Sequence, residues 1–248
     1  MSTRPFGWLL TGVGLGAGSV LWEIAGRTVG GAFVAPLSET LQVAATPAVW
    51  RALGSSLGLF GVGFGLSVAI GVPLGLLLAR MRQLRVALES YIAILNATPM
   101  AALIPFILSM MGFDFAPKVL VVFLFAVFPI LYNTVEGARS IRPELIEVAR
   151  SFRSTERALW RDVLLPFVLP FSLTGIRQAI GRALVGMVAA EFFLSASGIG
   201  MTLQTAAQSF DTATVFAAIL LVTLLGVALM ELGGAIERRY AAWRNIRT

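Results

Sequence analysis

Long apolar runs separated by short polar breaks make up most of the chain, and a run of roughly 20 apolar residues is enough for a helix to cross a bilayer. Six spans are predicted, at residues 6–24, 56–79, 91–112, 119–133, 170–193 and 213–232. The first is rich in glycine (Gly7, Gly12, Gly14, Gly16, Gly18). It is too long for the apolar core of a cleaved leader, about 7–15 residues, and is read as a span. The second carries Gly61, Gly65, Gly71 and Gly75, two pairs at four-residue spacing. Such spacing lets helix backbones approach closely where lipid supplies no push between helices, although glycine is also simply common in spans. The third is interrupted by Pro99 and Pro105, each of which removes a backbone donor and frees carbonyls that must find other partners. It is either a packing kink or the wall of a pathway. The fifth is the least apolar, with Arg177, Gln178 and Arg182 on its early turns.

Between the spans, residues 25–53 predict a loop with a short amphipathic helix near 37–45, whose start lacks the acid of a capping box. Residues 194–212 are small, polar and Gly-bearing, and predict an outer loop or a re-entrant hairpin. The longest charged passage, 137–170, sets Arg139, Arg142, Arg150, Arg153, Arg157 and Arg161 against Glu144, Glu147, Glu156 and Asp162. Pro143 suits the first turn of a helix, where a missing N–H costs nothing, and Glu144 and Glu147 lie near that helix's positive end. Leu145, Val148, Ala149 and Phe152 fall at i, i+3, i+4 and i+7 and form one apolar stripe. Ser154 offers an N-cap for a second short helix to about Val163, and Pro166 and Pro170 punctuate the return to the membrane. The passage predicts a helix–turn–helix whose stripe packs on its own spans or fits a partner's groove.

Composition agrees with a membrane solvent. Of 248 residues 57% are hydrophobic and 13% charged, with a mean hydropathy of +0.85, whereas a soluble domain carries about 25% charged residues. The net charge of +6 could suggest nucleic acid, but 18 of the 19 basic residues are Arg and most sit in short clusters between apolar runs. On the six-span topology 14 of them fall on one side and three (Arg27, Arg51, Lys118) on the other, which orients both termini to the cytoplasm. Cys and His are absent, so disulfides are excluded and metal ligation and imidazole acid–base chemistry lose their usual residues. No metal site is predicted.

The sequence EVARSFRSTERALWRDVLLP resembles the cytoplasmic signature of the permeases of ABC importers: a Glu-Ala-Ala triplet, a Gly four residues later, then Ile-x-Leu-Pro. The matching residues are Glu147, Val148 and Ala149, Arg153 in place of the usual Gly, and Val163, Leu165 and Pro166. Arg153 departs from a position where Gly permits a tight turn, so it must adopt another turn or accept a positive φ. PMAALIPFILSMMGF, PILYNTVEGARSI, GIRQAIGRALVGMVAAEFF and SGIGMTL extend the likeness over nearly the whole chain, toward the nitrate/sulfonate/taurine/bicarbonate-like branch. Relatives of that branch also serve thiamine precursors and riboflavin.

The resemblance implies an all-α, polytopic type I importer permease, residues 1–248 forming one transmembrane domain with a coupling segment at 143–166. It implies a bacterial inner-membrane location, a second permease copy, a pair of cytoplasmic ATPase subunits and an extracytoplasmic binding protein. The chain has no Gly-x-x-x-x-Gly-Lys-Ser/Thr loop, and Lys118 is its single lysine. ATP and Mg²⁺ are therefore expected on the partner subunit, with no cofactor and no catalysis in this chain. For the solute pathway the candidates are Asn96, Thr98, Pro99, Gln178 and Arg182, since a pore must offer hydrogen-bonding groups. Arg182 and Gln178 could draw in a small anion. Arg182 could equally snorkel, or pair with acids near Glu144. Two other functional classes fit parts of the sequence. A secondary transporter or channel would need an ionisable group deep in a span, and Glu191 is its main candidate. A membrane enzyme would need a catalytic cluster, and only Asp114, Glu191 and Asp211 could be imagined as one.

Overall fold

The computed structural model describes residues 4–29, 33–194 and 197–240, which are helical with no strand. The order is α1 (Arg4–Val29), α2 (Leu37–Ala44), α3 (Pro47–Arg80), α4 (Arg82–Ala97), a 3₁₀ turn (Met100–Leu103), α5 (Ile104–Met111) and α6 (Phe115–Arg139). Then come α7 (Pro143–Ser151), α8 (Glu156–Leu159), a π-helical turn (Trp160–Leu164), α9 (Leu165–Leu194), α10 (Ile199–Gln208) and α11 (Thr212–Tyr240). Four described helices are long and apolar enough to cross a membrane: Pro47–Arg80, Phe115–Arg139, Glu156–Phe193 and Thr212–Arg239. A fifth crossing is added if α4 and the Met100–Met111 stretch count as one span, bent by 87°. Six were expected. α1 is a 26-residue helix but is not among the five, its apolar content being diluted by glycines and by Glu23 and Arg27.

α6 is the centre of the bundle. Its apolar stretch is 56% buried against 17% for that of α11, and it packs against α3 on one side and α9 on the other. The α3–α6 contact is close because α3 presents a stripe of small residues, Gly63, Ser67, Gly71 and Gly75. An added Cβ would meet Val122 at 2.6 Å from Gly63, Ile130 at 3.1 Å from Gly71 and Thr134 at 2.7 Å from Gly75. The Ser67 hydroxyl donates to the Gly63 carbonyl at 2.8 Å and lies 3.1 Å from the Phe123 carbonyl across the contact. Gly61 and Gly65, expected as half of the contact, face open space. That pair lies two residues, about 200° of turn, from Gly63 and Ser67 and so points to the opposite side of the helix. Gly75→Leu should accordingly lower stability by about 2 kcal/mol through overpacking, and Gly61→Leu should leave it unchanged, as read by thermal unfolding in detergent.

The polar loop after α1 is built as expected in outline, with α2 at Leu37–Ala44. Its missing cap comes from another helix: Glu23 of α1 accepts hydrogen bonds from the Ser38 amide and hydroxyl, both at 2.9 Å. Residues 194–212, expected as loop or hairpin, hold a ten-residue helix, α10, packed against α9 and α11. Pro166 and Pro170 do not break the return to the membrane. The helix runs continuously from Glu156 to Phe193, because the π turn at Trp160–Leu164 widens the backbone where the Pro166 ring would otherwise meet the carbonyl four residues back.

Candidate coupling surface and transport cavity

α7 begins with Pro143 in its first turn and ends at Ser151. The chain then turns through Arg153 at φ 55°, one of two non-Gly residues with positive φ among those described. The Arg153 amide donates to the Arg150 carbonyl at 2.8 Å and the Ser154 amide to the Ala149 carbonyl at 3.1 Å. That pair of bonds is a Schellman motif, in which the residue after the cap is left-handed and usually Gly. Arg153 therefore adopts the glycine-like conformation rather than another turn. Holding it there costs about 1–2 kcal/mol, partly offset because Arg restricts the unfolded chain more than Gly does. Arg153→Gly should stabilise the protein by about 0.5–1 kcal/mol and Arg153→Val should destabilise it by more than that, in thermal unfolding. The second helix is capped one residue later than expected: it starts at Glu156, and Thr155, not Ser154, accepts from the Ala158 amide.

The predicted stripe of α7 divides in the single chain: Leu145 and Ala149 are half-buried, and Val148 and Phe152 are left exposed. Val148 is 55% exposed and Phe152 82% exposed, while Ile146, on the other side of the helix, packs with Ala138, Ile141 and Val168. Glu147 and Leu165 are exposed as well, and Ala149, Val163 and Pro166 are half-buried. One surface thus holds an apolar stripe, a rigid turn and two short helices, mounted directly on the ends of α6 and α9.

Of the pathway candidates, Asn96 and Arg182 meet at the end of α4, with Thr98 beside them. The last turn of that helix has carbonyls that its own backbone cannot satisfy, and three of them find other donors. The Thr98 hydroxyl donates to the Ile94 carbonyl at 2.8 Å and the Thr98 amide to the Leu95 carbonyl at 3.3 Å. The Asn96 carbonyl receives Nη1 of Arg182 at 3.0 Å, and that nitrogen also reaches Asn96 Oδ1 at 2.9 Å. Arg182 thereby caps the negative end of a broken helix. Beside it lies a cavity of about 280 Å³ walled by Thr98, Leu124, Phe125, Phe128 and Val185. Gln178, one turn before Arg182, takes a hydrogen bond from Asn133 at 3.2 Å. Asn133 was not picked out from sequence, where it reads as the polar end of an apolar run. Neither arginine of this helix pairs with acids near Glu144. Arg177 lies 3.4 Å from Glu237 at the end of α11, and Arg182 is committed to Asn96.

Glu191 sits at the other end of α9. It is 3% exposed and accepts hydrogen bonds from the Ser56 hydroxyl at 2.7 Å and the Gly200 amide at 2.9 Å. The Ser56 oxygen in turn accepts from the Ile199 amide at 2.8 Å. These are first-turn donors of α10, so the carboxylate that an ion-coupled transporter would need is occupied in fixing α10 to α9 and α3. Asp114 starts α6, and Asp211 bonds the Thr214 amide and hydroxyl at the start of α11. No cluster of three metal-binding side chains occurs among the described residues.

Comparison with known proteins places this architecture. The chain is 33% identical over 74% of its length, and 67% of the relative's, to the putative aliphatic sulfonates transport permease protein SsuC of Bacillus subtilis. It is 34% identical over 90% of its length, and 86% of the relative's, to the riboflavin transport system permease protein RibX of Chloroflexus aurantiacus. Its fold is that of a chain in the inward-facing MetNI methionine ABC transporter, with a TM-score of 0.61, 20% identity, and coverage of 78% of this chain and 96% of that one. Residues 71–242 match the model of the binding-protein-dependent transport system inner membrane component. They include the broken span, the α7–α8 turn, Arg182 and the Glu191 anchor, and the chain belongs to that family of ABC importer permeases.

Proposed function

We propose that this permease passes a small anionic solute, of the sulfonate, nitrate or taurine kind, from an extracytoplasmic binding protein into the cytoplasm. It works as a pair of identical chains with two ATPase subunits, which hold ATP and Mg²⁺. Both termini and the α7–α8 segment face the cytoplasm. The observation that carries the reading is the unpartnered stripe of Val148 and Phe152 on a segment continuous with α6 and α9. A rigid element of that kind turns closure of an attached motor into movement of the spans. Glu147, Val148, Ala149, Arg153, Val163, Leu165 and Pro166 form the contact with the ATPase. The solute passes the break at Asn96, Thr98 and Pro99, beside Gln178 and Arg182.

The anionic part of the reading rests on Arg182, whose two hydrogen bonds both leave from Nη1, so that Nε and Nη2 can face a solute. Replacing it with Gln should lower uptake of the physiological anion by about tenfold, the loss of one charge-assisted contact. Unchanged uptake would remove Arg182 from the pathway. The solute class is tested by isolating the binding protein that co-purifies with this chain and identifying what it carries. A small anion supports the proposal, and a neutral flavin or pyrimidine overturns its anionic part.

A further inference from the structure

The largest cavity among those described lies not in the pathway but on the inner side of α7, with a volume of about 590 Å³. α7 contributes Pro143, Ile146, Glu147 and Arg150 to its wall, residues at i, i+3, i+4 and i+7 and therefore one face of the helix. That face is opposite the Val148 and Phe152 stripe assigned to the ATPase, and of the residues assigned to that contact Glu147 alone also lines the cavity.

Four arginines line it: Arg80, Arg85, Arg139 and Arg150. Arg139 is neutralised by Glu89 at 2.6 Å and Glu136 at 3.3 Å. Arg80, Arg85 and Arg150 have no carboxylate within ion-pair distance among the described residues, although Glu147 and Glu156 share the same wall. Arg80 lies over the Trp160 ring at 5.9 Å, a stacking contact that orients a guanidinium and leaves its donor edges free. Three guanidinium groups outside any ion pair share this wall with the two carboxylates of Glu147 and Glu156, and the excess of positive charge suits an anion with several acceptor oxygens, which is the chemistry of a phosphate group.

The rest of the wall is apolar, formed by Ala79, Ala138, Ile141, Leu164 and Val168. Arg80 and Arg139 are the last residues of α3 and α6, so the cavity straddles the level at which the apolar helices end. A ligand that fits both halves carries a phosphate on an apolar body. Basic pockets of this kind between helices at the membrane boundary hold lipid headgroups. We propose that this cavity binds the phosphate of an anionic glycerophospholipid from the leaflet on the α7 side, with the three arginines on the headgroup and the apolar wall against the glycerol and first chain carbons.

The test uses purified permease in phosphatidylcholine nanodiscs, titrated with fluorescent phosphatidylglycerol. Arg80→Gln/Arg85→Gln/Arg150→Gln should weaken binding at least tenfold, and Arg157→Gln, on the exposed second helix outside the cavity, should not. Should the triple variant fail to fold, Arg150→Gln alone, on the solvent-facing α7, should weaken it about threefold. Equal binding by wild type and variants overturns the proposal. Competition by millimolar inorganic phosphate overturns it in favour of a free-anion site. Displacement of the lipid by added ATPase overturns it in favour of a protein contact.

Discussion

Replacing Ala149 with tryptophan should leave the permease folded and inserted but cut ATP-driven uptake by about tenfold or more, while ATP hydrolysis by the partner subunits continues. Ala149 lies beside Val148 on the stripe of α7, and its carbonyl closes the turn at Ser154. A large ring there overfills a contact meant to be close and tilts the short helix that joins the motor to α6 and α9. A shift of about 1.4 kcal/mol in a two-state equilibrium is already tenfold in population. The measurement is uptake per ATP hydrolysed in proteoliposomes containing permease, ATPase and binding protein. Arg157→Gln, which leaves the stripe and the turn intact, should behave as wild type. If Ala149→Trp transports at the normal ratio, the assignment of α7 as the coupling contact is wrong.

The second large effect is expected at Glu191. Removing its carboxylate in Glu191→Ala strands the Gly200 amide in a buried site, at about 1–3 kcal/mol for the donor left unsatisfied, and the Ser56 hydroxyl is left with the Ala52 carbonyl at 3.1 Å. The expected outcome is a marked fall in unfolding temperature, with α10 becoming accessible to protease before the long helices. Gly198, immediately before α10, has φ 106°, and a Cβ there would collide with the Glu191 carboxylate. Gly198→Ala should therefore be destabilising for two reasons, clash and backbone strain. In Glu191→Ala/Gly198→Ala the clash disappears and only the strain and lost bonds remain, so the double variant should lose less than the sum of the singles. Strict additivity would show that the carboxylate and the glycine are not packed as described.

Much of the architecture was legible because lipid forces it. Helices must satisfy their own backbone in an apolar solvent, so apolar runs mark the spans, and the 3.6-residue period of 143–152 marks α7. The departure at Arg153 left two outcomes open, another turn or a positive φ, and the structure shows the second, at φ 55°. What could not be read is which groups meet across the bundle. Asn96 and Arg182 were both named, but nothing local says that a guanidinium from α9 caps the break in α4. Gly71 and Gly75 were named, but the Gly63 and Ser67 half of the stripe was missed, since Ser67 counts as polar in a pattern of apolar positions but as small in a packing contact. Ser56 and Glu191 lie 135 residues apart, and only folding joins them. The π turn before Pro166 is likewise invisible in a pattern that treats proline as punctuation.

The reconstitution of this chain tests the account most directly. The permease is placed in liposomes alone, with the ATPase, and with ATPase and binding protein together, and solute accumulation is measured with ATP or with an imposed ion gradient. The account predicts accumulation only with ATP and both partners present, and none from a gradient with the permease alone. Gradient-driven accumulation by the isolated chain would contradict it, because it would mean that the spans move without the α7–α8 contact being driven.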